Sequence, residues 1–211
     1  FLFIFLGTLN NKDLSKIKFA HLKDIKIIGL NDNENYQLIK ELQFLKFKNL
    51  YFLDKLEIEK VLNSNNLIQD YSIFKKYPSS LEIYINRTSL LAKVRKNGKS
   101  FYLGSNGRLV EKKKDIKELP FIFGEFKNKD FFKLYKMIEN NKFDYNQIKK
   151  LFFFSSGRWD IETHSGVIIK LPRDKLNESM DLIMRILNQN DLNQIKIIDI
   201  RQKNQVIINE K

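Results

Sequence analysis

The 211-residue chain has no cysteine, three prolines, two histidines and one tryptophan. Without cysteine there is no disulfide framework, no thiolate nucleophile and no Cys-ligated zinc. That absence does not choose a compartment, because exported proteins need not carry disulfides. The histidines, His21 and His164, stand alone in sequence, so the HExxH type of metal site is excluded. No Walker loop, dinucleotide fingerprint or G-x-S-x-G elbow occurs. The expectation is a protein with no cofactor, no metal and no catalytic residue. The apolar run Phe1 to Leu9 is shorter than the roughly 20 residues that span a bilayer. By itself it fits the tail of a transmembrane helix, the end of a signal sequence or a buried strand.

Hydrophobic residues make up 43% of the chain and include 18 Phe, ample material for a core. Formal charge is +13, from 38 Lys and Arg against 25 Asp and Glu. Such a balance favours anionic partners in general. Lys greatly outnumbers Arg, however, and base-edge readout leans on the Arg fork. The cations are also scattered, with Lys112-Lys113-Lys114 forming one run, soon followed by Asp115 and Glu118. This pattern argues against a nucleic-acid groove. The Lys run reads as a solvated loop, with contact to lipid headgroups as its lesser alternative.

Local signals divide the chain into two parts. In the first, Asp24 to Ile28 is a short β-type run stopped by Gly29. Asn31 with Glu34 forms a capping-box pattern ahead of Leu38, Leu42 and Leu45 at helical spacing. Asp54 caps a second helix to about Leu62, with Glu57 placed to reach back and Leu53 to meet Ile58 as a staple. Strands at Leu67 to Lys75 and Leu81 to Arg87 follow, joined at Tyr77-Pro78-Ser79-Ser80. Glu82, Tyr84 and Asn86 alternate with Leu81, Ile83 and Ile85, which leaves one face of that strand wet. Two helices covering one face of a small sheet is the arrangement that buries both stripes.

The second part is mostly β. Strands are predicted at Leu90 to Val94, Ser100 to Leu103 and Leu109-Val110, with Asn97-Gly98 as a hairpin signal. Leu119 to Gly124 is extended, but Pro120 argues against a central strand. Asp130 to Asn140 reads as an amphipathic helix. Strands at Leu151 to Phe154, Arg158 to Thr163 and Val167 to Leu171 precede a helix from about Asp174 carrying Leu176, Met180, Ile183, Met184 and Leu187. The final strands are Ile195 to Ile200 and Gln205 to Asn209. Trp159 reads as a core anchor, and Arg158 with Asp160 as a surface ion pair of small worth. Asp160 and Glu162 mimic a catalytic carboxylate pair, but nothing suggests the cleft that glycosidase chemistry needs.

The runs IKIIGLNDNENYQLIKEL, KNLYFLDKLEIEKVL and IFKKYPSSLEIYI resemble, in order and spacing, the POTRA module of the FtsQ/DivIB family of bacterial cell-division proteins. Gly29-Leu30, Asn49-Leu50-Tyr51-Phe52 and Lys76-Tyr77-Pro78 occupy its characteristic places. Gly98, Tyr102-Leu103, Gly107, Leu119-Pro120, Gly157-Arg158-Trp159-Asp160, Ser165-Gly166 and Ile198-Asp199-Ile200-Arg201 resemble the family's second domain. The resemblance covers residues 19 to 209 and rests on the ordered set, not on any one motif. It implies an α+β chain in which a small βααββ POTRA module precedes a mostly antiparallel β-sheet domain with flanking helices. The divisions implied are 1–18 as the end of a transmembrane segment and linker, 19–90 as the POTRA module and 91–211 as the β-domain.

The same resemblance implies a non-enzymatic, single-pass inner-membrane scaffold, with its bulk periplasmic or outside the cell. Such a scaffold works at the septum, binds the FtsB/FtsL pair and reaches other divisome proteins through the POTRA module. In such proteins the last strands accept an added strand from the partner. The residues of this chain agree with that on physical grounds. Asn204, Gln205, Val206, Ile207, Ile208 and Asn209 include no charge, Pro or Gly, the usual guards of an open edge. An unguarded ending is either interior to a sheet or open for a partner. Arg201 matches the family's Arg and is expected to grip an acidic partner residue through two parallel bonds. Gln202 departs from the aromatic common at its place. The expected partner-binding set is therefore Arg201, Gln202 and Asn204 through Asn209. The alternative is a POTRA-bearing assembly component of an outer-membrane insertion or secretion system, which predicts repeated modules or a long barrel segment that this chain lacks.

Overall fold

The computed structural model describes residues 21–111, 118–189, 195–202 and 205–210. The readings for residues 1–18, Lys112 to Lys114 and Asn204 lie outside them. The chain divides at Thr88/Ser89 into two compact units.

The first unit is built on local signals that behave as expected. β1 (Asp24–Ile28) leads to α1 (Asp32–Glu41), where Asn31 accepts the Glu34 N–H and Glu34 accepts the Asn31 N–H. A 3-10 turn (Gln43–Phe47) and α2 (Lys55–Ser64) follow. Asp54 caps α2 by accepting the Leu56 N–H at 2.9 Å. Glu57 does not reach back as the sequence pattern suggests. Its carboxylate is engaged by Lys48, which comes from the preceding loop and outcompetes a short local bond. β2 (Ile68–Lys76) and β3 (Ser80–Arg87) form a hairpin through a cis Tyr77–Pro78 peptide. β3 lies centrally, antiparallel to β2 and parallel to β1. Leu81, Ile83 and Ile85 face the helices and join Leu38, Leu42, Leu45, Ile58 and Leu62 in one cluster. Every fully buried member of that cluster is Leu or Ile. The aromatics counted as core material in sequence are here largely outside: Phe44, Phe47, Phe52 and Phe74 are exposed.

The second unit is a nine-stranded mixed sheet in the order β12-β11-β10-β9-β8-β7-β4-β5-β6. β4 (Leu90–Lys96) and β5 (Lys99–Gly104) form the hairpin predicted at Asn97-Gly98, both residues having the positive φ of a type I′ turn. β6 is Leu109–Glu111. β7 (Phe121–Phe123) corrects the reading of Pro120. It is a central strand, parallel to both β4 and β8 (Ile148–Phe153). Pro120 escapes the penalty because it stands just before the strand and contributes a carbonyl, which accepts the Lys93 N–H at 2.8 Å. α3 (Asn128–Asn140) crosses over between β7 and β8, and α4 (Leu176–Gln189) between β10 (Ile168–Lys170) and β11 (Ile195–Asp199). β9 (Trp159–Thr163) separates β8 from β10.

Both crossover helices cover the same face. Phe131, Leu134 and Ile138 of α3 and Leu176, Met180 and Ile183 of α4 meet Ile122, Leu151, Ile161, Ile169 and Ile198 from successive strands. Trp159 anchors this layer, its ring 4.8 Å from Phe153 and 5.9 Å from Phe126. Each joint across β4, β7 and β8, and that between β10 and β11, is parallel; the rest are antiparallel. The fold is thus α+β, a βααββ module and then a mostly antiparallel sheet.

Candidate partner-binding edge

β12 (Ile207–Glu210) is the last strand of the large sheet and pairs antiparallel with β11 alone among the described residues. Register fixes which side chains share a face. Ile208 continues the helix-side row Ile122, Leu151, Ile161, Ile169, Ile198, each opposite the next. Ile207 ends the row on the other face, through Phe123, Phe152, Asp160, Lys170 and Asp199. Ile207 and Ile208 are 43% and 42% exposed, so each row stops on a half-open aliphatic side chain. Asn209 and Gln205 are exposed, and Val206 packs partly against the core.

A depression lies beside the edge on each face. On the helix side a volume of about 540 Å³ is bordered by Leu182, Ile200, Gln205 and Val206. On the other side a volume of about 430 Å³ is bordered by Arg158, Arg173, Asp199, Arg201, Gln202 and Ile207. Arg201 and Gln202 border both. Of β12 itself, Ile207 borders the second of these depressions.

The charges here differ from the sequence reading. Arg201 Nε donates to both oxygens of Asp199, at 2.8 and 3.0 Å, and Nη2 donates at 2.5 Å. The fork assigned to a partner's carboxylate is therefore filled from within by Asp199, two residues earlier and close enough to need no partner. Those hydrogen bonds hold the Asp199 carboxyl below its ordinary range, against an opposing effect of burial. Nor are Arg158 and Asp160 a surface pair. They stand 3.8 Å apart with Asp160 only 7% exposed, and the Arg158 guanidinium lies over the Phe154 ring. Burial pushes the Asp160 carboxyl up, against the downward pull of Arg158, Lys170 and Arg201. Its Oδ1 has no hydrogen-bond partner.

The alternating row Asp160, Lys170, Asp199 went unseen in sequence. Its members are spread over three strands, and no local signal gives their register. Glu162, the other half of the apparent carboxylate pair, is held by Lys150 at 2.9 and 3.0 Å. His21 bridges to Asn49 in the first unit, while His164 sits in the β9–β10 turn. Among the described residues no three His, Asp or Glu side chains come together as a metal would require. No described helix is long and apolar enough to cross a membrane.

A βααββ module followed by a large sheet with crossover helices defines a two-domain protein of POTRA-plus-β-domain type. Residues 20–86 match the family model "POTRA domain, FtsQ-type", and residues 92–201 match "Cell division protein FtsQ/DivIB, C-terminal". The chain belongs to the FtsQ/DivIB family of cell division proteins. It is 31% identical over 122 residues to a cell division protein DivIB of Clostridium botulinum, covering 57% of this chain and 47% of that protein. A cell division protein FtsQ of Rickettsia bellii is 26% identical over 192 residues, or 89% of this chain and 71% of the other. The chain spans about half the length of the clostridial DivIB relatives it matches. A solved major extracytoplasmic domain of DivIB from Geobacillus stearothermophilus aligns with a TM-score of 0.34 and 14% identity over 49% of this chain and 97% of that one, too low a score to support a structural inference.

Proposed function

We propose that this chain is a non-enzymatic scaffold of the division septum that captures an FtsB/FtsL-type pair by strand addition to β12. The observation that carries the reading is the position of β12: a terminal strand, paired on one side, whose first two side chains, Ile207 and Ile208, are half open. Unpaired backbone groups on such an edge recruit an extended segment, and the pockets beside it select alternate side chains. Ile207, Ile208 and Asn209 would supply the main-chain pairing, with Gln205 and Val206 leading into it. Arg201 and Gln202 would shape both depressions, Arg201 with its position set by Asp199. Asn204 stays in the expected set from its place in the sequence. Phe1 to Leu9 would be the end of a single-pass inner-membrane anchor, with both units outside the cytoplasm and residues 91–211 as the partner-binding domain. Other divisome proteins would be reached through the POTRA module at residues 19–90.

Proline substitution tests the edge. Backbone donors alternate in direction along a strand, so one of Ile207 and Ile208 directs its N–H outward. Ile207→Pro and Ile208→Pro are made separately, and each is measured for capture of the purified FtsB/FtsL pair. The variant lacking the outward donor should lose capture while keeping the Trp159 fluorescence of the folded sheet. Undiminished capture by both would overturn the proposal.

A further inference from the structure

The first unit has one end unlike the other. β1 and β3 start together, Asp24 opposite Ser80, so the β2–β3 turn and the arriving chain lie at the same proximal end. The loop between α1 and α2 returns there as well. Leu22 N–H donates to the Lys48 carbonyl at 3.0 Å, Lys23 N–H to Ser79 at 2.8 Å, and Lys75 Nζ to Leu53 at 2.8 Å. Phe44, Phe47, Tyr51, Phe52, Leu56 and Tyr77 are exposed at this end, Phe47 at 84% and Phe52 at 74%. At the distal end, which comprises Gly29 to Asn31, Ser64 to Leu67 and Asn86 to Thr88, no large hydrophobic side chain is exposed. The apolar side chains at the proximal end are interleaved with Lys23 and Lys46, and with Lys48, Lys55 and Lys76, which also pair with Glu57, Glu59 and Glu82. Lys48 Nζ lies 5.7 Å above the Phe44 ring.

We infer that the proximal end of the first unit rests on the surface of a bilayer containing anionic lipid. The chemistry fits a headgroup layer better than a protein partner. Aromatic rings settle at the boundary between headgroups and acyl chains, and lysines are drawn to anionic phosphates while their stems lie along apolar surface. Chain length points the same way. Asn10 to Ala20 can span at most roughly 40 Å when fully extended, so an anchor at Phe1 to Leu9 would tether the first unit by the end at which the chain arrives. The inference rests on the anchor proposed above, and its test separates the two.

The chain has no cysteine, so a single introduced one carries a spin label at a chosen place. Labels are placed by Phe5→Cys, Lys55→Cys and Ser64→Cys in the full chain, reconstituted in vesicles of phosphatidylcholine with phosphatidylglycerol. Accessibility to a lipid-soluble and to a water-soluble relaxation agent is then compared. The Lys55 label should report headgroup depth and the Ser64 label open water. That depth should be lost when Phe47, Phe52 and Tyr77 are changed to Ser, and reduced in phosphatidylcholine alone. The triple variant should keep the circular dichroism of the parent. A Lys55 label as water-exposed as Ser64, with the Phe5 label in the bilayer core, would overturn this surface and leave the anchor standing. Headgroup contact at Lys55 without Phe5 in the core would do the reverse. Spin–spin broadening at Lys55 in place of lipid contact would assign the face to a second copy and also overturn the inference.

Discussion

The two units spend their aromatic residues in opposite ways. The first closes its core with Leu and Ile and leaves Tyr36, Phe44, Phe47, Tyr51, Phe52, Phe74, Tyr77 and Tyr84 exposed. The second draws Phe131, Phe143 and Trp159 fully inside and packs Phe126, Tyr135, Tyr145 and Phe153 against them; Tyr145 donates its hydroxyl to the Leu91 carbonyl at 2.9 Å. Burial pushes the Tyr135 hydroxyl up to about 12 and that of Tyr145 higher still. The difference follows from layer size. Two short helices over three strands enclose a space that branched aliphatics fill. A nine-stranded sheet under two longer helices has room for rings. Aromatics kept out of a core present rigid apolar area at little entropic cost on contact, which suits a surface that meets something else.

The largest expected effect comes from breaking either core, and it asks whether the units are separate in energy as they are in composition. Leu42→Ala in the first unit should cost about 2–5 kcal/mol, and Trp159→Ala in the second about 3–5 kcal/mol. The only tryptophan is Trp159, so its fluorescence reports the second unit alone. In Leu42→Ala the urea transition seen by Trp159 should stay in place, while circular dichroism shows an earlier partial loss. A Trp159 transition that moves with the first unit would show the two cores to be coupled.

A smaller perturbation applies one device to both units. Gly29 follows β1 with φ +112°, and a Cβ there would overlap the Ile85 carbonyl oxygen. Gly124 follows β7 with φ +96°, and its Cβ would overlap the Phe153 carbonyl oxygen. In each, the backbone of a neighbouring strand comes closer than any side chain permits. Ala at either position adds this overlap to a left-handed conformation and should cost roughly 2 kcal/mol or more. Gly124→Ala should lower the Trp159 transition and Gly29→Ala should spare it. Reversal of that pattern would contradict the assignment of the two strand ends.

What could be read from sequence follows the range of each interaction. Asn31 with Glu34, Asp54 before α2, and the alternation through Leu81 to Asn86 are decided within a few residues, and all appear as expected. The family's motif order also gave the fold class, a POTRA module and then a mostly antiparallel sheet with helices. Three features depend on residues distant in sequence and were misread. Pro120 looked disqualifying because its carbonyl partner, Lys93, lies far upstream on β4. The 18 Phe were counted together as core material because hydrophobicity alone does not say that Leu42, Leu45 and Leu50 already fill the space, leaving Phe47 and Phe52 outside. Arg201 looked free for a partner because its tie to Asp199 depends on how the chain turns after β11. The edge position of β12 was legible only as one of two options, since an unguarded sequence suits an interior strand as well.

The smallest effect separates two carboxylates within a single row of the second unit. Asp199 is held low by Arg201, so its contribution to stability is fully present above the ordinary carboxylate pKa of roughly 4. That contribution is lost as pH falls through the lowered folded value. Asp160 is held high by burial, so its sign is opposite. The folded state binds that proton more tightly than the unfolded chain, and stability falls as pH rises from the unfolded to the folded pKa. The midpoint of the Trp159 transition in urea, followed from neutral to acidic pH, reads both. Asp199→Asn should flatten the acid-side loss and leave Arg201 without its fork partner. Asp160→Asn should steepen the net acid-side loss by removing the group that opposes it, and at neutral pH it should be the better tolerated of the two. If both variants shift the profile in the same direction, then Lys170 and the two arginines compensate the carboxylates as one pooled charge, and the row at the open edge does not contain one satisfied and one frustrated acid.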